Sequence, residues 1–272
     1  MAIEIRAPIF ILGCPRSGTS VFYEKLAQHP DIAVISRATK KVPSSLLATR
    51  LLLLGRRNFQ PTEAENVWGR FCHGDDHALG PDDATPRARR YLHAVVRTHL
   101  ALFGKPRFLA KCPRNSVRVG FLNAVFPDAV FVHIVRDGRA VAYSISRSRA
   151  KEAGAYWGTR PPGWRGLLGL PVLDASALQW KLITEHALRA AEALPPERYM
   201  QLRYEEFTAR PVETLNAVAA KCGLAWDPAF LAALVGDIEN RNYKWRESLK
   251  PEEVARLNEL TADLLVRLGY EV

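Results

Sequence analysis

Residues 8–20 read Pro-Ile-Phe-Ile-Leu-Gly-Cys-Pro-Arg-Ser-Gly-Thr-Ser. The short apolar run of residues 8–13, closed by Gly13, predicts a buried strand. Cys14 to Ser20 is a loop of small residues. Residues 19–28 then have helical character, with Val21, Phe22, Leu26 and Ala27 as their apolar positions. His29-Pro30 stops that helix because proline cannot continue it. Asp31 to Ile35 predicts a second strand, so the chain opens as a strand–loop–helix–strand unit. In such a unit the backbone N–H groups of the loop and of the helix N-terminus point at one spot, where the helix dipole favours an anion. Ser17, Thr19 and Ser20 add hydroxyl donors, Arg16 adds a cation, and Gly18 lets the backbone come close to a phosphate.

The loop nearly matches the GxxxxGK[ST] pattern of nucleoside-triphosphate-binding loops, but Thr19 stands where that pattern requires lysine. Arg16 is the loop's cation instead. A 5'-phosphate or phosphosulfate suits this arrangement better than a triphosphate.

Outward from the loop, residues 87–103 predict an amphipathic helix with Leu92, Val95, Val96, His99 and Phe103 on or near one face. Phe108 to Lys111 predicts a strand, Asn115 to Phe126 a helix, and Ala129 to Val135 a strongly β-type run, followed by a helix to about Arg149. Residues 154–171, rich in Pro and Gly, predict a long loop. A helix from about Ala175 to Ala193, a strand from Tyr199 to Leu202, and helices near 211–222 and 251–268 complete the pattern. The apolar run Leu46 to Leu54 predicts a core helix. Alternation of strands and helices implies an α/β fold: a central, mostly parallel sheet flanked by helices, with a P-loop-like nucleotide-binding design. No linker interrupts the chain, so one domain over residues 1–272 is expected.

A second motif lies at Arg136, at the carboxyl end of the Val130 to Val135 run, with Ser144 eight residues later on the next helix. Ligands of open α/β sheets sit outside the carboxyl ends of the strands. A guanidinium fork there suits a terminal phosphate, Ser144 can add a bond, and Asp137 suits the helix N-cap.

With both motifs in view, the chain resembles the PAPS-dependent sulfotransferases (PAPS is 3'-phosphoadenosine 5'-phosphosulfate). The resemblance implies that Arg16, Ser17, Gly18, Thr19 and Ser20 bind the 5'-phosphosulfate end, and that Arg136 and Ser144 bind the 3'-phosphate. It extends to Lys111-Cys112-Pro113, to Arg203-Tyr204-Glu205-Glu206-Phe207, and to Lys244-Trp245-Arg246, a late basic segment of the kind that closes over the cofactor in related enzymes. Tyr204, Lys244 and Arg246 are thereby cofactor-binding candidates. The implied reaction moves a sulfuryl group to a hydroxyl or amine and releases PAP (adenosine 3',5'-bisphosphate). Arg16 and Lys111 are the expected stabilisers of the departing phosphate.

The general base departs from the family. Several members carry a glutamate shortly after the His-Pro-Asp turn, where this chain has Ser36, Arg37 and Ala38. Animal cytosolic members have a histidine two residues after the lysine, where this chain has Pro113. The polar stretch after residue 61 offers Glu65, His73, Asp76 and His77, of which Glu65 or His73 is the preferred base. His73 to His77 is too crowded a group for a metal site, and no metal is expected.

The net charge of +10, from 38 Lys and Arg against 28 Asp and Glu, suits a polyanionic cofactor, nucleic acid, or an anionic membrane or glycan. No nucleic-acid-binding motif is present, so a small-molecule, lipid or glycan acceptor is the expected partner. The acceptor-facing segments are expected at 40–60, 61–80 and 154–171. Cys14, Cys72, Cys112 and Cys222 form no CxxC pair, and no apolar run reads as a signal peptide or membrane span. A soluble cytoplasmic protein is expected. Two alternatives stand beside this reading: a P-loop-type nucleotide-binding kinase, which needs lysine at position 19 and a carboxylate for Mg²⁺, and a cofactor-binding protein without catalysis.

Overall fold

The computed structural model describes residues 3–53, 60–151, 158–236 and 238–272. Five strands, β1 (Ile9–Leu12), β2 (Ile32–Val34), β3 (Arg107–Lys111), β4 (Val130–Val135) and β5 (Tyr199–Arg203), form one sheet in the order β2-β3-β1-β4-β5. Every pairing is parallel. β1 is apolar at all four positions because helices cover both faces of the sheet. Its side chains alternate accordingly. Phe10 and Leu12 join the core under α3 (Glu65–Trp68), α4 (Pro86–Phe103) and α5 (Val119–Val125). Ile9 and Ile11 join the opposite core under α1 (Thr19–Leu26), α8 (Tyr204–Ala209), α9 (Pro211–Lys221) and α10 (Pro228–Val235). Phe10 anchors the first core edge-on to Trp68 at 5.5 Å and stacked on Phe131 at 5.8 Å.

β1 sits between β3 and β4, so the connections leaving it and β4 run to opposite sides. That divergence opens a crevice at the carboxyl end of β1. α6 (Gly138–Lys151), α7 (Val172–Ala191) and α12 (Pro251–Arg267) pack together beside it.

Four expectations change. The predicted helix from Asn115 is a 3-10 turn, Pro113–Val117, followed by α5. Arg118 separates the two at φ −136 and ψ 17, held in the core by a 2.7 Å bond from its Nε to the His77 carbonyl. The predicted loop 154–171 contains a 3-10 turn at Trp164–Leu167, while residues 152–157 lie outside the described residues. Leu46 to Leu54 is helical over α2 (Leu46–Leu53), but it is no core helix. Leu47 and Leu51 are 71% and 58% exposed, and only Thr49 is buried. α2 packs on α4 by the face that carries Thr49, which turns the two leucines, one helical turn apart, outward. Finally, α10 and α11 (Lys244–Ser248) were not expected from the sequence, although Asp227 caps α10 at 2.7 Å with Pro228 in its first turn.

Two buried histidines make stability pH-dependent. His99 on α4 is hydrogen-bonded to the Val95 carbonyl at 2.8 Å and to Thr39 Oγ1 at 2.9 Å. His133 on β4 meets the Tyr199 hydroxyl at 2.8 Å. Burial pulls both rings down to about 4. Above about pH 6.5 both rings are neutral folded or unfolded, and they contribute no slope. Between about 6.5 and 4 the unfolded chain takes up protons that the native chain refuses. The contribution of this pair to stability is therefore expected to fall as pH falls there, at up to about 1.4 kcal/mol per pH unit per histidine, and to flatten below 4. Denaturant midpoints at several pH values check this; His99→Gln should remove about half of the slope attributable to the pair, and an unchanged slope would count against it.

Candidate active site

The loop between β1 and α1 takes up strained backbone. Gly18 sits at φ 84, and a Cβ there would lie 2.2 Å from Tyr204 Cδ2. Arg16 adopts φ 73, a left-handed conformation that costs about 1–3 kcal/mol in a non-glycine residue. Gly13 N donates to Ser116 Oγ at 2.8 Å, which fixes the start of the loop. No side chain caps α1, and no acidic residue lies in its first turn. Its leading N–H groups thus lack the usual partner. Ser17 Oγ is buried and has no hydrogen-bond partner among the described residues. Uncapped amides and an orphaned hydroxyl are what a bound phosphate would satisfy.

Two strand-end cations, Arg136 and Lys111, join the loop's own Arg16. Arg16 Nε donates to Ser144 Oγ at 2.8 Å. Arg136 donates from Nη1 to the Arg16 carbonyl at 3.0 Å, and its guanidinium lies 4.4 Å from the centre of the Tyr204 ring. Burial pulls Arg136 down from its ordinary value, opposed by Tyr204, Glu205 and Asp137. A guanidinium stays charged regardless. Lys111, at the end of β3, donates from Nζ to Ser20 Oγ at 2.9 Å and pairs with the Glu63 carboxylate.

Glu63 is a residue that sequence reasoning missed. Residues 60–62 return antiparallel to residues 35–37: Ser36 bridges Pro61, Thr62 N donates to the Ile35 carbonyl at 3.0 Å, and Arg37 N donates to the Gln60 carbonyl at 3.1 Å. The chain thus comes back to the end of β2 after an excursion and sets a carboxylate beside Lys111. The only signal in the sequence was an extended Gln60-Pro61-Thr62 ahead of an acid.

The other base candidates fare unequally. Glu65 opens α3 at the cleft, paired with Arg114 at 3.2 Å. His73 is exposed and is not among the cleft-lining residues, which corrects its assignment as a base. The turn that follows it explains why: Asp76 Oδ1 accepts from Ala78 N at 2.9 Å, folding this segment against its own backbone. His77 is buried, with Nδ1 accepting from Arg160 N at 2.9 Å. Burial and the charges of Arg114, Arg160 and Arg118 hold its ring down to about 3, so it is a neutral structural residue. Among the described residues no three His, Cys, Asp or Glu side chains cluster as metal ligands.

Tyr204 and Lys244 line the cleft; Arg246 does not. Arg246 lies on the far side of α11, over Trp245 at 5.0 Å, and lines a separate hollow of about 530 Å³. Arg241 and Arg147 are cleft residues that the motifs did not single out, and Trp245 of the late basic segment lines the cleft as well. Arg147 stands three residues after Ser144 on α6, so helical spacing alone places it on the same face. The cleft measures about 1330 Å³ and is lined by eight lysine and arginine side chains against three glutamates. It exceeds the usual ~300–1,000 Å³ of a small-ligand pocket, leaving room for a polyanion and a second molecule. Asp137, beside Arg136, is held by Arg139: its Oδ1 accepts from Arg139 N and Nε, and its Oδ2 from Nη2 at 2.9 Å. It caps α6 and is not available as a Mg²⁺ ligand.

A model of the sulfotransferase family matches residues 8–228. The chain belongs to the sulfotransferase family. This sulfotransferase-family chain is 28% identical to the nodulation protein NoeE of Sinorhizobium fredii over 96% of its own length and 65% of that protein. It is 25% identical to protein-tyrosine sulfotransferase 2 of Gallus gallus over 82% of its own length and 53% of that protein. It therefore spans less than two thirds of these curated relatives. In fold it is similar to the crystal structure of sulfotransferase STF1 from Mycobacterium tuberculosis, with a TM-score of 0.67 and 17% identity over 96% of this chain and 78% of that one. The matched region takes in the loop, Lys111, Arg136, Ser144 and Tyr204, and ends before the late basic segment.

Proposed function

We propose that the chain transfers a sulfuryl group from PAPS to a hydroxyl or amine of a small-molecule, lipid or glycan acceptor and releases PAP. The observation that carries this reading is the joining of Arg136, Arg16 and Ser144 into one surface with a loop whose Ser17 hydroxyl lacks a partner among the described residues and whose helix begins without a side-chain cap. An anion-binding loop at a helix start, with a buried arginine and a serine beside it, suits a nucleotide with phosphate at both the 5' and 3' positions. PAPS supplies an activated sulfuryl group, whose S–O bond to phosphate breaks as the acceptor oxygen or nitrogen bonds to sulfur, the electron pair leaving on PAP.

The chain's own residues then have separable tasks. Ser17, Gly18, Thr19 and Ser20 offer donors at the 5' end, with Arg16 and Lys111 facing the charge that develops on the departing phosphate. Arg136 and Ser144 grip the 3'-phosphate, assisted by Arg241 and Lys244. Tyr204 fixes the Arg136 guanidinium from one face. Glu63 accepts the acceptor proton: both glutamates of this segment are ion-paired, but Glu63 meets Lys111 at the end of β3, beside the departing phosphate, whereas Glu65 meets Arg114. A carboxylate in this place favours turnover over cofactor binding alone. Thr19 in place of lysine, and an Asp137 committed to Arg139, weigh against the kinase alternative. The reading includes a single domain over 1–272 and a cytoplasmic setting; among the described residues no helix is long and apolar enough to cross a membrane.

The test is calorimetric titration with PAP, AMP and ATP–Mg²⁺, in wild type and Arg136→Ala. PAP is expected to bind tightest, and the variant to lose about 100-fold for PAP alone, as for one partner of a buried charge pair. Preference for ATP, or binding of none of the three, sinks the proposal.

A further inference from the structure

Behind Arg136 lies a carboxylate that none of these steps uses. Glu205, the second residue of α8, receives three donors from three parts of the chain. Its Oε1 accepts from Asn242 Nδ2 at 2.8 Å and from Asp137 N at 3.2 Å. Its Oε2 accepts from the Tyr270 hydroxyl at 2.9 Å. The Asn242 amide faces two ways, because its Oδ1 accepts from Arg136 Nε at 2.9 Å. Chemistry fixes that orientation: a guanidinium only donates and a carboxylate only accepts. Asn242 therefore cannot turn over without breaking both bonds.

The same segment is tied down elsewhere. Arg136 Nη2 donates to the Arg241 carbonyl at 3.0 Å, Tyr204 Oη donates to the Glu239 carbonyl at 3.2 Å, and Asn242 N donates to Asn240 Oδ1 at 2.9 Å. Residues 239–242 thus form a strap over Arg136 that delivers the Arg241 side chain to the cleft. Three of the five N–H donors of Arg136 go to the protein, to Asn242, Arg16 and Arg241. The remaining two can meet a phosphate in a fixed fork only while those three bonds hold the guanidinium plane still.

We infer that Glu205, acting through Asn242, is a positioning residue that sets the preference for a 3'-phosphorylated nucleotide. It touches no part of the cleft itself; it orients Arg136 and anchors the strap that carries Arg241. The inference rests on the PAPS reading, since it assigns the Arg136 end to the 3'-phosphate. Misplacement of a positioned group by about 1 Å can cost on the order of 100-fold. AMP lacks the 3'-phosphate, so its binding does not draw on this device.

The experiment measures dissociation constants for PAP and for AMP in wild type, Asn242→Ala, Glu205→Gln and the double variant, with thermal melts to establish folding. Asn242 lies in a surface segment, so its variant carries the test if Glu205→Gln does not fold. PAP affinity is expected to drop about 10- to 100-fold in each single variant, with AMP affinity within about twofold of wild type. The double variant should be no worse than the weaker single one, because the two residues act as a unit. A PAP-to-AMP ratio equal to that of wild type in a folded Asn242→Ala overturns the inference, as does an equal loss for both ligands. A wild type that does not prefer PAP to AMP overturns the PAPS reading itself and the inference with it.

Discussion

Lys111→Met is expected to lower the rate of sulfuryl transfer by about 10²- to 10³-fold, the usual effect of removing one charge-stabilising donor, with PAP affinity within about threefold of wild type. Methionine is the informative replacement. β3 is buried on both faces, and alanine would open a cavity under the loop, confusing lost packing with lost charge. Methionine keeps most of the aliphatic stem and removes only the ammonium. In the wild type that ammonium is held on two sides, by Ser20 Oγ at 2.9 Å and by the Glu63 carboxylate. It is therefore already in place when charge develops on the phosphate and needs no reorganisation. The measurement is release of PAP from PAPS with the first acceptor that supports turnover in a screen of phenols, alcohols and glycosides. A rate within tenfold of wild type would remove Lys111 from the charge-stabilising role and leave Arg16 alone in it.

Glu63→Gln is expected to cost about 10²- to 10⁴-fold in the same assay, the range for loss of a general base. Glutamine can still accept the bond from Lys111 Nζ, so the geometry beside the loop survives while the proton acceptor is gone. Glu65→Gln provides the contrast. Its partner is Arg114, and it should change the rate by less than about tenfold, as expected of a group that does not take part in proton transfer. If Glu65→Gln proves the more damaging of the two, the base belongs to α3 and the pairing of Glu63 with Lys111 is structural.

The strand and loop at residues 8–20 were readable because the information is local. A continuous apolar run, a loop of small residues with Gly13 and Gly18, and a helix stopped by His29-Pro30 all belong to neighbouring residues. The same holds for Arg136 and Ser144, which one strand end and two turns of α6 relate. Helix and strand periodicity settled the α/β class, since it needs only the spacing of apolar positions.

Other features depend on segments far apart in the chain. Glu63 faces Lys111 across 48 positions, brought there by an antiparallel return onto the end of β2 that no periodicity announces. His73 and Glu65 were equal candidates as letters; packing left one exposed in a turn and put the other at the cleft. The leucines of α2 read as core because hydrophobicity does not say which face a neighbouring helix will cover. Lys244 and Arg246 are two positions apart on a five-residue helix, so their side chains leave on different faces and only one reaches the cleft. What the sequence determined by itself was the strand–loop–helix at its start, the arginine and serine of the second motif, and the α/β class, because each is written in contiguous residues. Which carboxylate meets Lys111, which way α2 turns its leucines, and how Glu205 and Asn242 hold Arg136 were decided by tertiary structure alone, because only folding brings β2, β3, α8 and the late segment within hydrogen-bond distance of one another.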